Sequence, residues 1–181
     1  MKHNTLVLCL LFTACAGAAL AQTKISGTGN CGKADASHVV EVGDRAGHAL
    51  VLTKDSCTWT TPMEMAGLKS KTYTGAITSD VSGEKSQDRG YVVMTMDNGD
   101  KAYVRFQGTG TSKAGGAHSS EGTWTYTGGT GKLKGLKGKG TTRARAPAPM
   151  RRKTRWKASI RCPKPAPRVR KIRPRFAGLA R

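Results

Sequence analysis

Residues 90–108 read GYVVMTMDNGDKAYVRFQG, and this stretch decides the fold class of the protein. Two runs in which apolar and polar residues tend to alternate, 90–97 and 100–108, flank the dipeptide Asn98-Gly99. Alternation with a period of two is typical of a β-strand that has one buried face. An Asn-Gly dipeptide tolerates positive φ at both positions, which matches the twist of a tight hairpin. The stretch therefore predicts two antiparallel strands joined by a two-residue turn.

Similar short runs, separated by turn residues, continue through the chain from residue 22 to residue 140. Residues 119–140 read SSEGTWTYTGGTGKLKGLKGKG, where glycines recur inside the β-prone runs. Glycines within strands mark the bends that a closing sheet needs. Many short strands with regular turn signals indicate a barrel or a sandwich. We therefore expect an all-β fold, with a small antiparallel β-barrel over residues 22–140 and a disordered basic C-terminal tail.

The start of the chain has the pattern of a secretory signal. Lys2 precedes an apolar run over residues 6–12, and an Ala-Leu-Ala cleavage motif ends at residue 21. This order of features predicts a signal peptide over residues 1–21 and a periplasmic or secreted location. The apolar run is shorter than the roughly 20 residues that span a bilayer, so we expect no transmembrane segment. Lipid attachment at Cys15 is the alternative interpretation.

Positive charge is concentrated at the C-terminal end of the chain. The protein has 31 Lys and Arg against 11 Asp and Glu, and every acid lies at or before Glu121. Residues 141–181 contain 15 Lys and Arg, no acid, and six of the seven prolines. Dense like charge and proline, without a large apolar set, cannot offset the entropy of ordering a chain. This composition predicts that residues 141–181 are a disordered Arg/Pro-rich tail.

Two interpretations of this tail remain open. In the first, it binds a polyanion, such as nucleic acid, lipopolysaccharide or an anionic membrane, through its cations. The candidate contacts are Arg151, Arg152, Lys153, Arg155, Arg168, Arg170, Lys171 and Arg173. In the second, the coding frame changes near codon 140, because Arg, Pro and Ala have GC-rich codons and the change in composition is abrupt. Another reading frame would then encode an alternating strand that ends the barrel.

Export would leave three cysteines in an oxidising compartment, where disulfides persist. Cys31 and Cys57 lie within the neutral part of the chain, while Cys162 lies in the basic tail. The favoured pairing is Cys31–Cys57, which leaves Cys162 as the odd thiol. The histidines show no ligand spacing with one another or with the cysteines, so we predict no metal site and no cofactor.

Several segments carry a family resemblance. They are SGTGNCGK (26–33), DRGYVV (88–93), NGDKAYVRFQGT (98–109) and EGTWTYTGGTGKLKG (121–135). Through them the chain resembles a family of small secreted bacterial β-barrel proteins of uncharacterised function. The glycine-rich stretch 122–140 is also similar to a hairpin of allene oxide cyclase-like and dirigent-like barrels. The resemblance implies an antiparallel barrel with an internal cavity and a further strand after Gly140.

The functional prediction is a non-catalytic exported barrel that is structural or binds a small apolar ligand. Small barrels are filled by side chains or hold one small ligand. The candidate cavity residues are Trp59, Phe106, Trp124 and Tyr126. No nucleophile elbow of the Gly-x-Ser-x-Gly type occurs, and no catalytic residue is assigned. A cyclase-like enzyme is the alternative, and it would require ionisable groups that converge inside the barrel.

Overall fold

The computed structural model describes residues 22–113, 116–146 and 152–162, so the predicted signal peptide lies outside the described residues. Within them the chain forms ten β-strands and one short 3-10 turn at Gly131–Leu133. The strands are β1 (Thr23–Cys31), β2 (Ala36–Glu41), β3 (His48–Thr61), β4 (Glu64–Met65), β5 (Leu68–Ser82), β6 (Lys85–Met96), β7 (Lys101–Ser112), β8 (His118–Gly129), β9 (Lys137–Ala146) and β10 (Arg152–Arg161).

Eight of these strands close into an antiparallel barrel, as the alternating sequence predicts. The order around the barrel is β1-β10-β9-β8-β7-β6-β5-β3, and β3 closes the ring by pairing with β5 on one side and β1 on the other. Closure removes the free sheet edges that an open sheet would expose. The short strand β4 pairs only with the start of β5. The predicted fold class is therefore confirmed.

The hairpin at Asn98-Gly99 forms, but its turn differs from the prediction. Strands β6 and β7 end their pairing at Thr95↔Lys101, and the Met96 N–H donates to the Asp100 carbonyl over 2.8 Å. Gly99 has a φ of 88°. Asn98 does not have a positive φ, because Ala66 is the only non-glycine residue with positive φ in the described chain. Asn98 instead uses its side-chain oxygen to accept from the Asp100 N–H. The connection is therefore longer than two residues, and only the glycine needs the left-handed conformation.

The predicted boundary at residue 140 is wrong, because β9 runs through it and β10 follows. Strand β9 pairs with both β8 and β10, and β10 pairs with β1 along its length. Both strands alternate, with inward residues that are buried or small. These residues are Thr142, Ala144 and Ala146 on β9 and Thr154, Trp156, Ala158 and Ile160 on β10. The periodicity of these residues outweighs the basic, proline-containing composition, so residues 141–146 and 152–161 are not a disordered tail.

Residues 147–151 and 163–181 of the predicted tail lie outside the described residues. The out-of-frame interpretation depends partly on the absence of a strand after Gly140, and β9 and β10 supply that strand. The change in composition near codon 140 is the remaining support for this interpretation. Reading the coding DNA in its other two frames would test it.

The predicted disulfide between Cys31 and Cys57 is confirmed. The two residues lie directly opposite each other on β1 and β3, with Cα atoms 4.2 Å apart. Cys162 is free and partly buried.

In the part of the chain that the structure describes, no helix is long and apolar enough to cross a membrane.

Strand β2 lies outside the barrel. It forms an arm that runs alongside the first half of β3. It pairs with residues 49–54 of β3, and all six of its residues are exposed. Several large apolar side chains of the arm and of the strand beside it are exposed to solvent. They are Val39 and Val40 of β2, Val42 just after it, and Leu50 and Leu52 of β3.

Candidate functional site: a cavity at one end of the barrel

The two ends of the barrel interior differ in composition. We call the end nearest the Asn98-Gly99 turn the closed end, because large apolar side chains fill it. Met63, Met94, Met96, Leu133 and Leu136 are at most 1% exposed there. We call the opposite end, where β7 ends and β8 begins, the open end. Its inward side chains are small or polar, so the barrel is incompletely filled there.

An aromatic cluster separates the two ends. In five pairs of neighbouring rings, the ring centroids lie between 4.9 and 5.9 Å apart, in the tilted and edge-to-face arrangements that aromatic pairs prefer. The members are Trp59, Tyr73, Trp124, Tyr126 and Trp156. Burial raises the pKa of Tyr73 and, by a larger amount, that of Tyr126. Both phenols therefore remain protonated at ordinary pH and belong to the packed interior.

A cavity of about 340 Å³ lies at the open end, above this cluster. That volume is at the lower end of the range for ligand pockets, which is about 300–1,000 Å³. Small residues at inward positions leave the space, among them Gly75, Ser120 and Ala144. The apolar part of the lining consists of Ile77, Val92, Phe106, Trp156 and the Cys31–Cys57 disulfide. The cavity therefore offers an apolar wall to a small molecule.

An ion pair lies on one side of the cavity. Asp55 of β3 is 6% exposed and accepts a hydrogen bond from the Arg152 guanidinium of β10. The two side chains approach each other across the end of β1, which lies between their strands. Because Asp55 balances the charge of Arg152, this pair does not offer an unpaired cation to a ligand.

Asp88 and His118 supply the second polar group of the lining. Asp88 of β6 is 8% exposed, and its Oδ1 has no hydrogen-bond partner among the described residues. His118 of β8 lies at the mouth, and its Nδ1 is 3.0 Å from the Ser112 hydroxyl. Burial lowers the pKa of His118, and the Arg152 charge lowers it further, while Asp88 acts in the opposite direction. His118 is therefore neutral at pH 7 and above.

A third polar atom faces the same space. The Thr142 hydroxyl of β9 is buried and finds no partner within the described chain. Buried polar groups in native proteins nearly always have hydrogen-bond partners. Asp88 and Thr142 thus present an acceptor and a donor–acceptor to whatever occupies the cavity. In the described residues, no three His, Cys, Asp or Glu side chains are grouped so that they could hold a metal ion.

The structure places the residues predicted to line a ligand cavity in two locations. Phe106 is in the cavity wall. Trp59, Trp124 and Tyr126 belong to the aromatic cluster beneath it. Tyr73 and Trp156, which the sequence analysis did not single out, are the cluster members that reach the cavity.

The predicted polyanion contacts are also divided. Arg152 points inward to Asp55, whereas Lys153 and Arg155 point outward from β10. Arg151, Arg168, Arg170, Lys171 and Arg173 lie outside the described residues.

Sequence reasoning missed the ionisable groups of the cavity, and one signal could have found two of them. Asp88 has the same strand parity as Val92 and Met94, and Arg152 has that of Trp156 and Ile160. A charged residue on the inward parity of a strand indicates a buried site. Asp88 lies among polar residues in the sequence, and this local composition hides the inward parity.

Comparisons with known proteins add little beyond the architecture. No family model matches the chain, and neither does any curated protein. Among solved structures, a pterocarpan synthase dirigent protein is similar at 12% identity and a TM-score of 0.44. The match covers 80% of this chain and 88% of that one. At this level the likeness is a distant one between barrels.

Proposed function

We propose that the protein is an exported barrel, periplasmic or secreted, that binds one small and mainly apolar ligand at its open end. The observation behind this proposal is the buried Asp88 carboxylate oxygen that lacks a partner and faces a cavity with apolar walls. Such an atom would cost about 1–3 kcal/mol if it stayed unpaired. A ligand with a hydroxyl or N–H group would recover that cost, while its apolar part would bury the surfaces of Val92 and Phe106.

The charges around the cavity favour a neutral ligand that donates hydrogen bonds over an anionic one. Arg152 is already engaged by Asp55, and His118 is neutral at pH 7, so neither offers a free positive charge. Asp88 accepts hydrogen bonds and repels anions. The ligand class is therefore a small aromatic or alicyclic molecule with a hydroxyl or amine.

A fluorescence titration with N-phenyl-1-naphthylamine tests the proposal, because this dye carries an N–H group and brightens in apolar sites. Filling the cavity should weaken binding. A side chain at Gly75 is suitable, since a Cβ there would make only ordinary contacts of 3.8 Å or more with Ile77 and Val92. We expect Gly75→Leu to weaken binding at least about tenfold, which corresponds to about 1.4 kcal/mol.

Gly128→Leu is the matched control, because Gly128 is also a strand glycine with room for a Cβ but lies outside the cavity. It should leave dye binding unchanged. Equal dye binding by both variants and the parent protein would contradict the cavity as the site. No dye binding by the parent would instead favour a structural role.

A pair of competitors tests the role of Asp88. Naphthalene and 1-naphthol differ only in a hydroxyl, so the ratio of their affinities measures the hydrogen bond. We expect 1-naphthol to compete about five- to tenfold better with the parent protein, as a bond of about 1 kcal/mol implies. Asp88→Ala should remove that advantage and leave naphthalene binding nearly unchanged.

A cyclase-like enzyme is the second candidate, because ionisable groups do converge inside the barrel. Asp88 and His118 line one cavity, where the neutral His118 imidazole could take a proton from a bound molecule and the Asp88 charge would stabilise the imidazolium formed. The protein is incubated with a small molecule that it binds, and mass spectrometry of the material then extracted from it separates the two functions. Ligand recovered unchanged supports binding, and a product of altered structure that disappears with Asp88→Asn supports catalysis.

A further inference from the structure

The outer surface of β9 and β10 is almost entirely cationic. Of the ten side chains that point outward from these strands, the neutral ones are Thr141 and Ser159. The other eight define what we call the basic face. They are Lys137, Lys139, Arg143, Arg145, Lys153, Arg155, Lys157 and Arg161. This arrangement is ordered by the strands and does not depend on the residues that follow Cys162.

The strand register places these cations opposite one another. Lys153 pairs with Arg145, and Arg155 pairs with Arg143. Like charges directly across two antiparallel strands are destabilising. An ion pair relieves part of this repulsion, between Arg143 Nε and Glu121 Oε2 at 3.4 Å, but both side chains are largely exposed and the pair is weak. Binding of an external anion would therefore relieve the repulsion between the cations of the basic face.

A groove of about 950 Å³ is lined mostly by outward-pointing side chains of β3 and of β5 to β10, and it reaches the basic face at Arg143, Arg155 and Lys157. Glycines Gly108 and Gly122, which lie opposite each other on β7 and β8, leave backbone exposed in it. Its side-chain lining mixes cations with hydroxyl and amide groups, including Arg89, Gln107, Thr123, Thr141, Arg143 and Arg155. Its acids are Asp80, Asp88 and Glu121. Asp80 and Glu121 are engaged by His48 and Arg143, whereas Asp88 also lines the cavity inside the barrel.

We propose that the basic face and this groove bind a linear acidic polysaccharide. Arginine and lysine would pair with its carboxylate or sulfate groups, and the Thr and Gln side chains would bond to its hydroxyls. No aromatic or large apolar side chain points outward from β9 or β10. The face therefore lacks the stacking platforms that single-stranded nucleic acid uses and the apolar surface that a membrane-bound element inserts.

Affinity for a fluorescent heparin-derived oligosaccharide, measured by polarisation over a range of salt concentrations, tests this proposal. The variant Arg143→Gln/Arg155→Gln removes one opposed pair of cations. We expect it to weaken binding at least about tenfold at low salt and to make the salt dependence shallower. Its melting temperature should stay the same or rise, because the repulsion between the pair is lost.

The matched control is Lys69→Gln/Lys71→Gln, which removes the same charge from β5, four strands away from β9 in either direction around the barrel. It should change the affinity less than about twofold. Equal losses in both variants would overturn the proposal, because binding would then follow net charge alone. Tighter binding of duplex DNA, or of phosphatidylglycerol vesicles, than of the oligosaccharide would also overturn it. Gly75→Leu should bind the oligosaccharide normally, which separates this surface from the cavity.

Discussion

The closed and open ends of the barrel are built from the same strands, but the inward side chains change in character along each strand. Along β8 they run from Tyr126 and Trp124 at the closed end to Ser120 and His118 at the open end. Gly122 lies between the two groups, and the Phe106 ring occupies the place that a side chain there would take. The same sheet therefore supplies a packed core at one end and a lined cavity at the other.

This difference shows how stability and binding can be separated within one small barrel. Buried apolar side chains are the main stabilising contribution to folding, and the closed end contains most of the largest. The open end contains buried charge and unpartnered polar atoms, which cost free energy unless they are satisfied. Substitutions at the two ends should therefore have different effects on stability.

The largest effect is expected at the closed end. Met96 is 1% exposed, and Met96→Ala should lower the free energy of unfolding by about 2–5 kcal/mol through loss of buried surface and creation of a cavity. Ile77→Ala in the cavity wall should cost less than half as much, because Ile77 already borders empty space. Urea unfolding followed by circular dichroism measures both. Equal costs would contradict the distinction between the two ends.

The disulfide should contribute nearly as much as a large core residue. It closes a loop between Cys31 and Cys57, 26 residues apart in sequence. Chain-entropy arguments assign about 3 kcal/mol to a loop of this size. We expect the double variant Cys31→Ser/Cys57→Ser to unfold at a correspondingly lower urea concentration. A loss below about 1 kcal/mol would show that pairing of β1 with β3 alone restrains this part of the chain.

The Asp55–Arg152 ion pair should have an intermediate effect. Asp55→Ala leaves the Arg152 charge unpaired at a site where its side chain is 28% exposed, so we expect a loss of about 1–3 kcal/mol rather than a larger one. The double variant Asp55→Ala/Arg152→Leu removes the orphaned charge and should recover part of this loss. If the loss in the double variant, relative to the parent protein, equals the sum of the losses in Asp55→Ala and Arg152→Leu, the two side chains do not interact.

The smallest effect should be a dependence of stability on pH. The pKa of His118 is lowered in the folded protein, so the unfolded chain binds more protons as the pH falls below the ordinary histidine value of about 6.5. Stability from this residue is therefore present above that pH and is lost progressively below it. His118→Asn should flatten the profile below about pH 6.5. An unchanged profile would place His118 in solvent.

The hairpin and the barrel class could be predicted because they depend on patterns among residues close in sequence. The disulfide could be predicted because the sequence predicts an oxidising compartment for the mature cysteines. Strands β9 and β10 could not be predicted from composition, since their outward cations and nearby prolines resemble a disordered chain. The burial of Trp156 and Ile160 depends on pairing with β1, which lies more than one hundred residues earlier in the sequence.

The candidate site was also beyond local pattern. Asp55, Asp88 and Arg152 come together only when β3, β6 and β10 are arranged around the barrel. Phe106 was the one predicted cavity residue found in the wall. Aromatic residues on an inward face are typical of both a core and a cavity, so their pattern alone does not distinguish the two. Only the sizes of neighbouring inward residues, such as Gly75 and Ala144, decide which of the two forms.

Titration of the isotopically labelled protein with 1-naphthol, followed by amide chemical shifts in NMR spectra, tests the central claim most directly. The account predicts that the largest shift changes occur around the open end, at Gly75, Ser120 and Ala144, while Met96 and Leu133 at the closed end stay unchanged. Shift changes centred on the exposed apolar residues Val40 of the arm and Leu52 of β3, or none at all, would contradict a binding cavity inside the barrel.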